Sequence, residues 1–199
     1  MRTVGIDLET TGLNNGLNIE KNEIPHEICE ITVIEYGENF KLGEKFVTLV
    51  RPNRFENIDP RAMEINGIDI EELKKAPTSM QVKNALIEWA SAVFTDEKME
   101  PLGFNYKFDE GFLIAFLGKK LYYSLFHYKY EDVHQNFRLM QKAGYFPEIK
   151  STKLTNICQE LDIPHKAHDA EGDVWATLQL QKIITDGLAR ANLTFRNHL

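Results

Sequence analysis

MRTVGIDLETTGL, residues 1–13, is the stretch that decides the fold. Apolar residues that suit a buried parallel strand surround two carboxylates, Asp7 and Glu9, and the pattern breaks at the TTG of residues 10–12. Side chains alternate between the faces of a strand, so Asp7 and Glu9 project from the same face, about 6–7 Å apart. Carboxylates held this close repel each other unless a proton or a cation lies between them. The pair therefore indicates either a divalent metal site or a strand end that reaches solvent.

The composition of the chain is that of an ordinary globular protein. Hydrophobic residues make up 43 % of its 199 residues and charged residues 27 %, so we expect a single domain over 1–199. No apolar stretch approaches the ~18–20 residues of a membrane span, and the chain opens on a strand pattern without the layout of a signal peptide. We therefore expect a cytoplasmic protein with no membrane partner. Cys29 and Cys158 lie far apart and in no CxxC pattern, which favours two reduced core thiols.

The net charge of −7 argues against a protein that coats nucleic acid, because non-specific binding needs an excess of Lys and Arg along one face. An acidic balance does not exclude a nuclease. A site that collects several carboxylates makes the chain acidic by itself, and bound divalent cations cancel that charge locally. Net charge therefore leaves both enzymes and binding modules open.

Strand and helix patterns divide the rest of the chain. We expect strands at 27–37, 45–52 and 99–105, short helices at 60–65 and 71–75, a longer helix from Thr78 or Ser79 to Phe94, and helices at 108–121, 134–143 and 152–161 before a long helix within 163–188. Because strands come first and helices afterwards, this order predicts an α/β protein whose mixed sheet is covered by helices on its faces.

Two segments fit more than one interpretation. The polar stretch 14–25 is either a mobile loop near the site or an exposed insertion. The aromatic stretch 121–133 could be a strand, and the tyrosines at its start either stack on bases or belong to the core.

A third carboxylate, Asp109, lies on the apolar side of a predicted helix. It stands three, four and seven residues before Phe112, Leu113 and Phe116, so it heads the apolar stripe. A buried carboxylate is costly unless it is hydrogen-bonded or bound to a metal. The alternative is an acid in the first helical turn that the helix dipole stabilises.

The last third of the chain holds a fourth carboxylate in the same situation. Asp173 shares a helix face with apolar residues as far as Ile184, whereas Glu171 points the other way. Asp169 is either a ligand or the N-cap of this helix, and the cap is the simpler interpretation. His168, five residues before Asp173, can reach toward whatever that carboxylate binds.

Three elements thus present acids toward one centre. Four converging carboxylates beside a histidine are hard to explain as packing, because each would need its own compensation. Two Mg²⁺ or Mn²⁺ ions compensate all four together.

GIDLETTGL (5–13), NYKFD (105–109) and AHDAEGDV (167–174) resemble, in order and spacing, the three motifs of the DnaQ-like, DEDD-type 3′→5′ exonucleases. The histidine of the third motif resembles the DEDDh branch. This resemblance runs through essentially the whole chain. It implies an RNase H-like fold, with a central mixed five-stranded sheet flanked by helices.

The resemblance also implies roles for individual residues. Asp7, Glu9, Asp109 and Asp173 would hold two metal ions, with Asp7 bridging both, and His168 would be the general base. Contacts to the terminal nucleotide and the scissile phosphate fall to Thr10, Thr11, Leu13 and Asn105. The spacing of His165 does not match the motif, so we interpret it as structural.

These features predict a 3′→5′ exonuclease that releases nucleoside 5′-monophosphates from the 3′ end of single-stranded DNA. The same chemistry on RNA or short oligoribonucleotides is the nearest alternative, because the choice depends on accommodation of a 2′-hydroxyl. A non-catalytic nucleic-acid-binding module is a further one. The residues do not decide between a monomer and a homodimer.

Overall fold

One mixed sheet organises the part of the chain that this computed structural model describes, which is residues 2–14, 26–37, 40–95, 97–166 and 169–196. Its strands are β1 (Arg2–Thr10), β2 (Ile28–Tyr36), β3 (Leu42–Leu49), β4 (Met99–Gly103) and β5 (Glu131–Asp132). They lie in the order β3-β2-β1-β4-β5, and β1 pairs antiparallel with β2 and parallel with β4. The expected mixed five-stranded sheet is therefore confirmed, with the acidic strand β1 at its centre.

Helices flank this sheet. In the described residues they are α1 (Pro60–Asn66), α2 (Ile70–Lys75), α3 (Ser79–Phe94), α4 (Lys107–Leu117), α5 (Lys119–Leu125), α6 (Val133–Lys142), α7 (Leu154–Glu160) and α8 (Ala170–Arg196), with a 3-10 turn at Phe55–Asn57. Thr78 caps α3, because its hydroxyl accepts from the Gln81 N–H while the Gln81 side chain accepts from the Thr78 N–H. This reciprocal pair fixes where α3 begins, as the sequence predicts.

The aromatic stretch 121–133 departs from the predicted elements, because most of it is not a strand. Gly118, with φ +81°, ends α4 early, and α5 follows immediately. Tyr122 of α5 is buried, and its hydroxyl lies 2.8 Å from that of Tyr106. This tertiary packing overrides the strand propensity of Tyr122. Glu131–Asp132 forms the strand beside β4, and Phe126 adds an isolated bridge to Met99. The tyrosine at 122 thus belongs to the core.

Alternation along β1 assigns its side chains to two different cores. Val4, Ile6 and Leu8 are buried with side chains of α3, α4 and α5 on one face of the sheet. Side chains of α6, α7 and α8 form a second core on the other face. The strand is buried on both faces, which explains why its apolar residues run almost without interruption.

Gly5 lets α8 approach the second face of β1. A Cβ added at Gly5 would lie 2.6 Å from Cγ1 of Val174, so only glycine permits this spacing. Asp7 and Glu9 follow Gly5 at two-residue intervals and therefore face the same helix. The close packing of β1 on α8 thus sets the position of both carboxylates.

Three smaller expectations concern the remainder of the chain. Cys29 and Cys158 are buried free thiols, as predicted. Among the described helices, none combines the length and the apolar character of a membrane span. Of the polar stretch 14–25, Asn14 exchanges hydrogen bonds with the backbone of His26, and residues 15–25 lie outside the described part of the chain.

Candidate metal centre

Three carboxylates from two elements meet at the carboxyl end of β1. Asp7 and Glu9 of β1 and Asp173 of α8 each offer an oxygen within 4.8 Å of the others. Glu9 is buried, whereas Asp7 and Asp173 are partly exposed, so the cluster opens toward solvent on one side. The sequence prediction that these acids converge is confirmed.

Asp109 reaches the same region through a gap between two strands. β1 and β4 pair only as far as Gly5 and Leu102, after which the chain turns from β4 into α4. The N–H of Leu8 then donates to Oδ1 of Asp109 at 3.1 Å, and the Asp109 side chain is buried. Asp109 thus takes the place of a strand partner beside the acidic segment of β1.

The charges of these carboxylates are poorly compensated by the protein itself. Burial, followed by the nearby charges of Asp109 and Asp173, raises the pKa of Asp7 well above its usual range. Burial raises the pKa of Glu9 to about 8, with a smaller contribution from Asp173. Burial also raises the pKa of Asp109, and the hydrogen bond from Leu8 opposes it only in part. Protons or cations among these groups would therefore stabilise them.

The donor set of this centre fits a hard divalent cation. All the converging atoms are carboxylate oxygens, which Mg²⁺ and Mn²⁺ prefer over nitrogen or sulfur ligands. A cation would also compensate the negative charges whose mutual repulsion contributes to the raised pKa values of these carboxylates. The residues at the centre therefore suit such an ion on both chemistry and charge.

Two further carboxylates lie at the border of the centre. Glu30 of β2 stands directly across from Glu9, and burial and the charge of Asp169 raise its pKa. Sequence reasoning missed Glu30, because only the register of β1 against β2 brings it beside Glu9. Asp169 directly precedes α8, and its carbonyl accepts from the Asp173 N–H at 2.7 Å, which is the geometry of an N-cap position.

His165 contacts the centre directly, although its spacing did not predict this. Its Nε2 hydrogen-bonds Oδ1 of Asp173, and its side chain is only 4 % exposed. A residue eight positions from Asp173 in sequence thus reaches its carboxylate. Helical periodicity carries no information about such a contact. His168, the predicted general base, lies outside the described residues.

The residues predicted to contact substrate lie in two separate segments, one at the end of β1 and one between β4 and α4. Thr10 and Thr11 stabilise the turn after β1, since the Thr10 hydroxyl donates to the Gly12 carbonyl and the Thr11 hydroxyl accepts from the Glu27 N–H. Leu13 is 61 % exposed, an unusual position for a leucine. Thr10, Thr11 and Leu13 thus lie at the carboxyl end of β1, the central strand, and in the turn that follows it.

Asn105, the remaining predicted contact, occupies the turn between β4 and α4. It is exposed and has a positive φ of +65°. Its N–H donates to Asp132 Oδ1 at 3.2 Å, and that carboxylate also caps α6. The turn is therefore anchored to the neighbouring strand and holds the start of α4, with Asp109, in place.

Comparison with known proteins decides the family. The model of the RNase_T family, described as exonuclease, matches residues 4–181. This chain belongs to the exonuclease family. The predicted resemblance to the DnaQ-like, DEDDh-type exonucleases is confirmed.

Relatives of known sequence include a subunit of DNA polymerase III. DNA polymerase III subunit epsilon of Escherichia coli strain K12 is 30 % identical over 113 residues, which cover 56 % of this chain and 42 % of that protein. The same subunit of Buchnera aphidicola subsp. Schizaphis graminum is 27 % identical over 194 residues, which cover 94 % of this chain and 75 % of that protein. In the first of these matches the chain spans less than half of its relative.

Solved structures support the fold. E. coli Exonuclease I in complex with a dT13 oligonucleotide superposes with a TM-score of 0.74 at 22 % identity, over 99 % of this chain and 44 % of that one. The nuclease domain of 3′hExo, a DEDDh family member bound to rAMP, superposes with a TM-score of 0.70 at 21 % identity, over 94 % of this chain and 92 % of that one. The RNase H-like fold, a mixed five-stranded sheet flanked by helices, is thereby confirmed.

Proposed function

We propose that the chain is a metal-dependent 3′→5′ exonuclease that removes nucleoside 5′-monophosphates from the 3′ end of single-stranded nucleic acid. One observation carries this proposal: Asp7, Glu9 and Asp173 converge within 4.8 Å at the carboxyl end of β1, with Asp109 in the adjoining gap. The family assignment supports it as well, because the exonuclease model matches residues 4–181, a range that includes all four carboxylates.

In the proposed reaction these four carboxylates hold the cofactor and leave one side open for a phosphate. Two Mg²⁺ or Mn²⁺ ions, when bound, would supply the charge that stabilises the attacked phosphate and the departing 3′ oxygen. The charges of Asp109, Asp173 and Glu9 all act on Asp7, so Asp7 would hold the ions together with these carboxylates. His168 takes a proton from the attacking water, a task that requires a neutral imidazole near pH 7.

The turn after β1 would receive the terminal nucleotide. Leu13 offers exposed apolar surface beside the metal centre, on which the last base or sugar can pack. Thr10 and Thr11 hold this turn rigid through their hydroxyls, and Asn105 stands at the start of the helix that carries Asp109. We propose single-stranded DNA as the substrate. Single-stranded RNA is the alternative substrate, and the assay described next compares the two.

Stepwise shortening of labelled oligonucleotides tests this function. DNA and RNA oligomers of one sequence, labelled at the 5′ end, are incubated with the protein in Mg²⁺ and in EDTA. We expect a ladder that shortens from the 3′ end only in Mg²⁺, and relative rates identify the preferred sugar. Asp7→Asn and His168→Asn should abolish most of the activity. Asp186→Asn, a surface aspartate paired with Lys182, is the matched control. No shortening of either oligomer in Mg²⁺ would refute the proposal.

A further inference from the structure

A cleft lies beside the metal centre on the opposite face of the sheet from α8. Its volume is about 390 Å³, and it is bounded by the start of β2, the turn after β3, the first turns of α3 and the outer side of α4. Its lining includes charged, polar and aromatic side chains, namely those of Glu27, Arg54, Ser79, Lys83, Phe112 and Phe116. This volume lies at the lower end of the roughly 300–1,000 Å³ typical of small-molecule sites. It is therefore of a size that suits a single nucleotide unit.

Two walls of this cleft are continuous with the metal centre. On one side, Thr11 and Glu27 exchange two hydrogen bonds of 2.8 Å, which tie the cleft to the turn after β1. On the other, α4 carries Asp109 in its first turn, with Phe112 and Phe116 about 4.5 Å and 10.5 Å farther along the helix axis. A strand whose 3′ end enters the metal centre covers this separation within its last few nucleotides.

The cleft combines an aromatic surface with an available cation. The Lys83 ammonium lies 5.1 Å from the centroid of the Phe116 ring, and within the described residues it forms no ion pair. The Phe116 side chain is partly exposed, whereas Phe112 below it is buried. Aromatic faces and basic side chains together are the features with which proteins bind single strands without reading sequence.

Glu27, the one carboxylate among the described residues that line the cleft, does not repel an anion. Glu27 accepts hydrogen bonds from the backbone N–H groups of Asn53 and Arg54 and from the Asn53 side chain. The Arg54 side chain approaches the same carboxylate at 3.7 Å, so the charge of Glu27 is neutralised within the wall. Lys83 therefore leaves the cleft with a net positive charge.

We propose that this cleft binds a nucleotide upstream of the scissile bond, with its base packed on Phe116 and its phosphate against Lys83. The inference rests on the proposed exonuclease function and adds to it a subsite that favours a single, unpaired strand. Substrates long enough to reach the cleft gain binding energy that a mononucleotide ester lacks. A comparison of kcat/KM between a long and a short substrate therefore tests whether the cleft binds a nucleotide.

The test compares an oligonucleotide with thymidine 5′-(p-nitrophenyl phosphate), an ester that has no upstream nucleotide. Loss of one stacked base or phosphate contact should lower the ratio of kcat/KM for a ten-nucleotide DNA strand to that for the ester by about 5- to 100-fold in Lys83→Glu and in Phe116→Leu. Leucine keeps the apolar packing of Phe116 and removes only the ring. Lys142→Glu, an exposed lysine on α6, should keep the wild-type ratio.

Binding in EDTA separates failure of the cleft from failure of the enzyme. Fluorescence anisotropy with the same strand should give a salt dependence of log K that is shallower by about 0.7 in Lys83→Glu, as expected for one lost phosphate contact to a single strand. Unchanged ratios and an unchanged salt slope in both cleft variants would overturn the inference. A wild-type protein that cleaves neither substrate would refute the proposed function, and the anisotropy contrast would then decide the cleft by itself.

Discussion

Replacing Gly5 with alanine should damage the metal centre without touching any of its ligands. The added Cβ would lie 2.6 Å from Cγ1 of Val174, about 1 Å inside the ordinary carbon–carbon contact of roughly 3.5–4.0 Å. Val174 directly follows Asp173 on α8. Relief of the clash therefore moves Asp173 away from the carboxylates on β1.

The size of the effect follows from this overlap. Overpacking of a core typically costs about 1–3 kcal/mol. For a domain of this length that corresponds to a fall in Tm of roughly 2–12 °C. Metal sites tolerate changes in ligand distance of only about 0.2 Å, so a shift near 1 Å should also remove most of the stabilisation by Mg²⁺.

Thermal melts of wild type and Gly5→Ala, each in EDTA and in Mg²⁺, measure both effects. Gly37→Ala is the control, because an added Cβ there meets nothing within 4 Å. We expect Gly5→Ala to melt lower than wild type and to gain little from Mg²⁺, whereas Gly37→Ala should respond as wild type does. A Gly5→Ala protein with the wild-type Tm and the wild-type gain from Mg²⁺ would refute the reasoning.

Further predictions concern charge, hydrogen bonding and capping. In EDTA, the free energy of unfolding should fall as the pH rises from about 5 to about 8. The folded-state pKa of Glu9, about 8, lies above its ordinary value, so the folded state retains a proton that the unfolded state releases. Thermal melts across this pH range measure the fall. His165→Phe removes the hydrogen bond to Asp173 and should weaken Mn²⁺ binding about 10- to 100-fold in calorimetry, whereas His165→Gln keeps an N–H at the same place and should bind nearly normally. Thr78→Ala should cost about 0.5–2 kcal/mol in urea unfolding, because it removes the cap of α3.

Each of these predictions has its own contradicting result. Metal-free stability that rises toward pH 8 would contradict the view that the carboxylates are uncompensated. Equal loss of Mn²⁺ affinity in the phenylalanine and glutamine variants of His165 would show that volume, rather than the hydrogen bond, matters there. Thr78→Ser keeps a capping hydroxyl, so a serine variant as unstable as the alanine variant would assign the effect to the lost methyl group.

Features that depend on local pattern could be predicted, and those that depend on pairing could not. The alternation along β1 placed Asp7 and Glu9 on one face, and helical periodicity placed Asp109 and Asp173 toward the sheet, as found. Glu30 escaped notice because its position beside Glu9 depends on the register between two strands. Local pattern also predicted nothing of the gap between β1 and β4, which Asp109 fills.

The segments around the centre show the same limit. Tyr122 and Tyr123 have high strand propensity, yet they lie in α5, where Tyr122 packs on Tyr106. The spacing of His165 indicates only a structural role, although its side chain contacts Asp173 in the structure. The cleft at Phe116 is likewise formed by four separate parts of the chain, so no single sequence motif predicts it.

Titration with Mn²⁺ tests the central claim most directly, because it asks whether the converging carboxylates bind the cation that the chemistry needs. Calorimetry on the wild-type protein and on Asp7→Asn, with Asp186→Asn as the surface control, measures the stoichiometry without reliance on any substrate. We predict binding of up to two ions per chain in the wild type and in the control, and its loss in Asp7→Asn. A wild-type protein that binds no Mn²⁺, or an Asp7→Asn protein that binds it unchanged, would contradict the account.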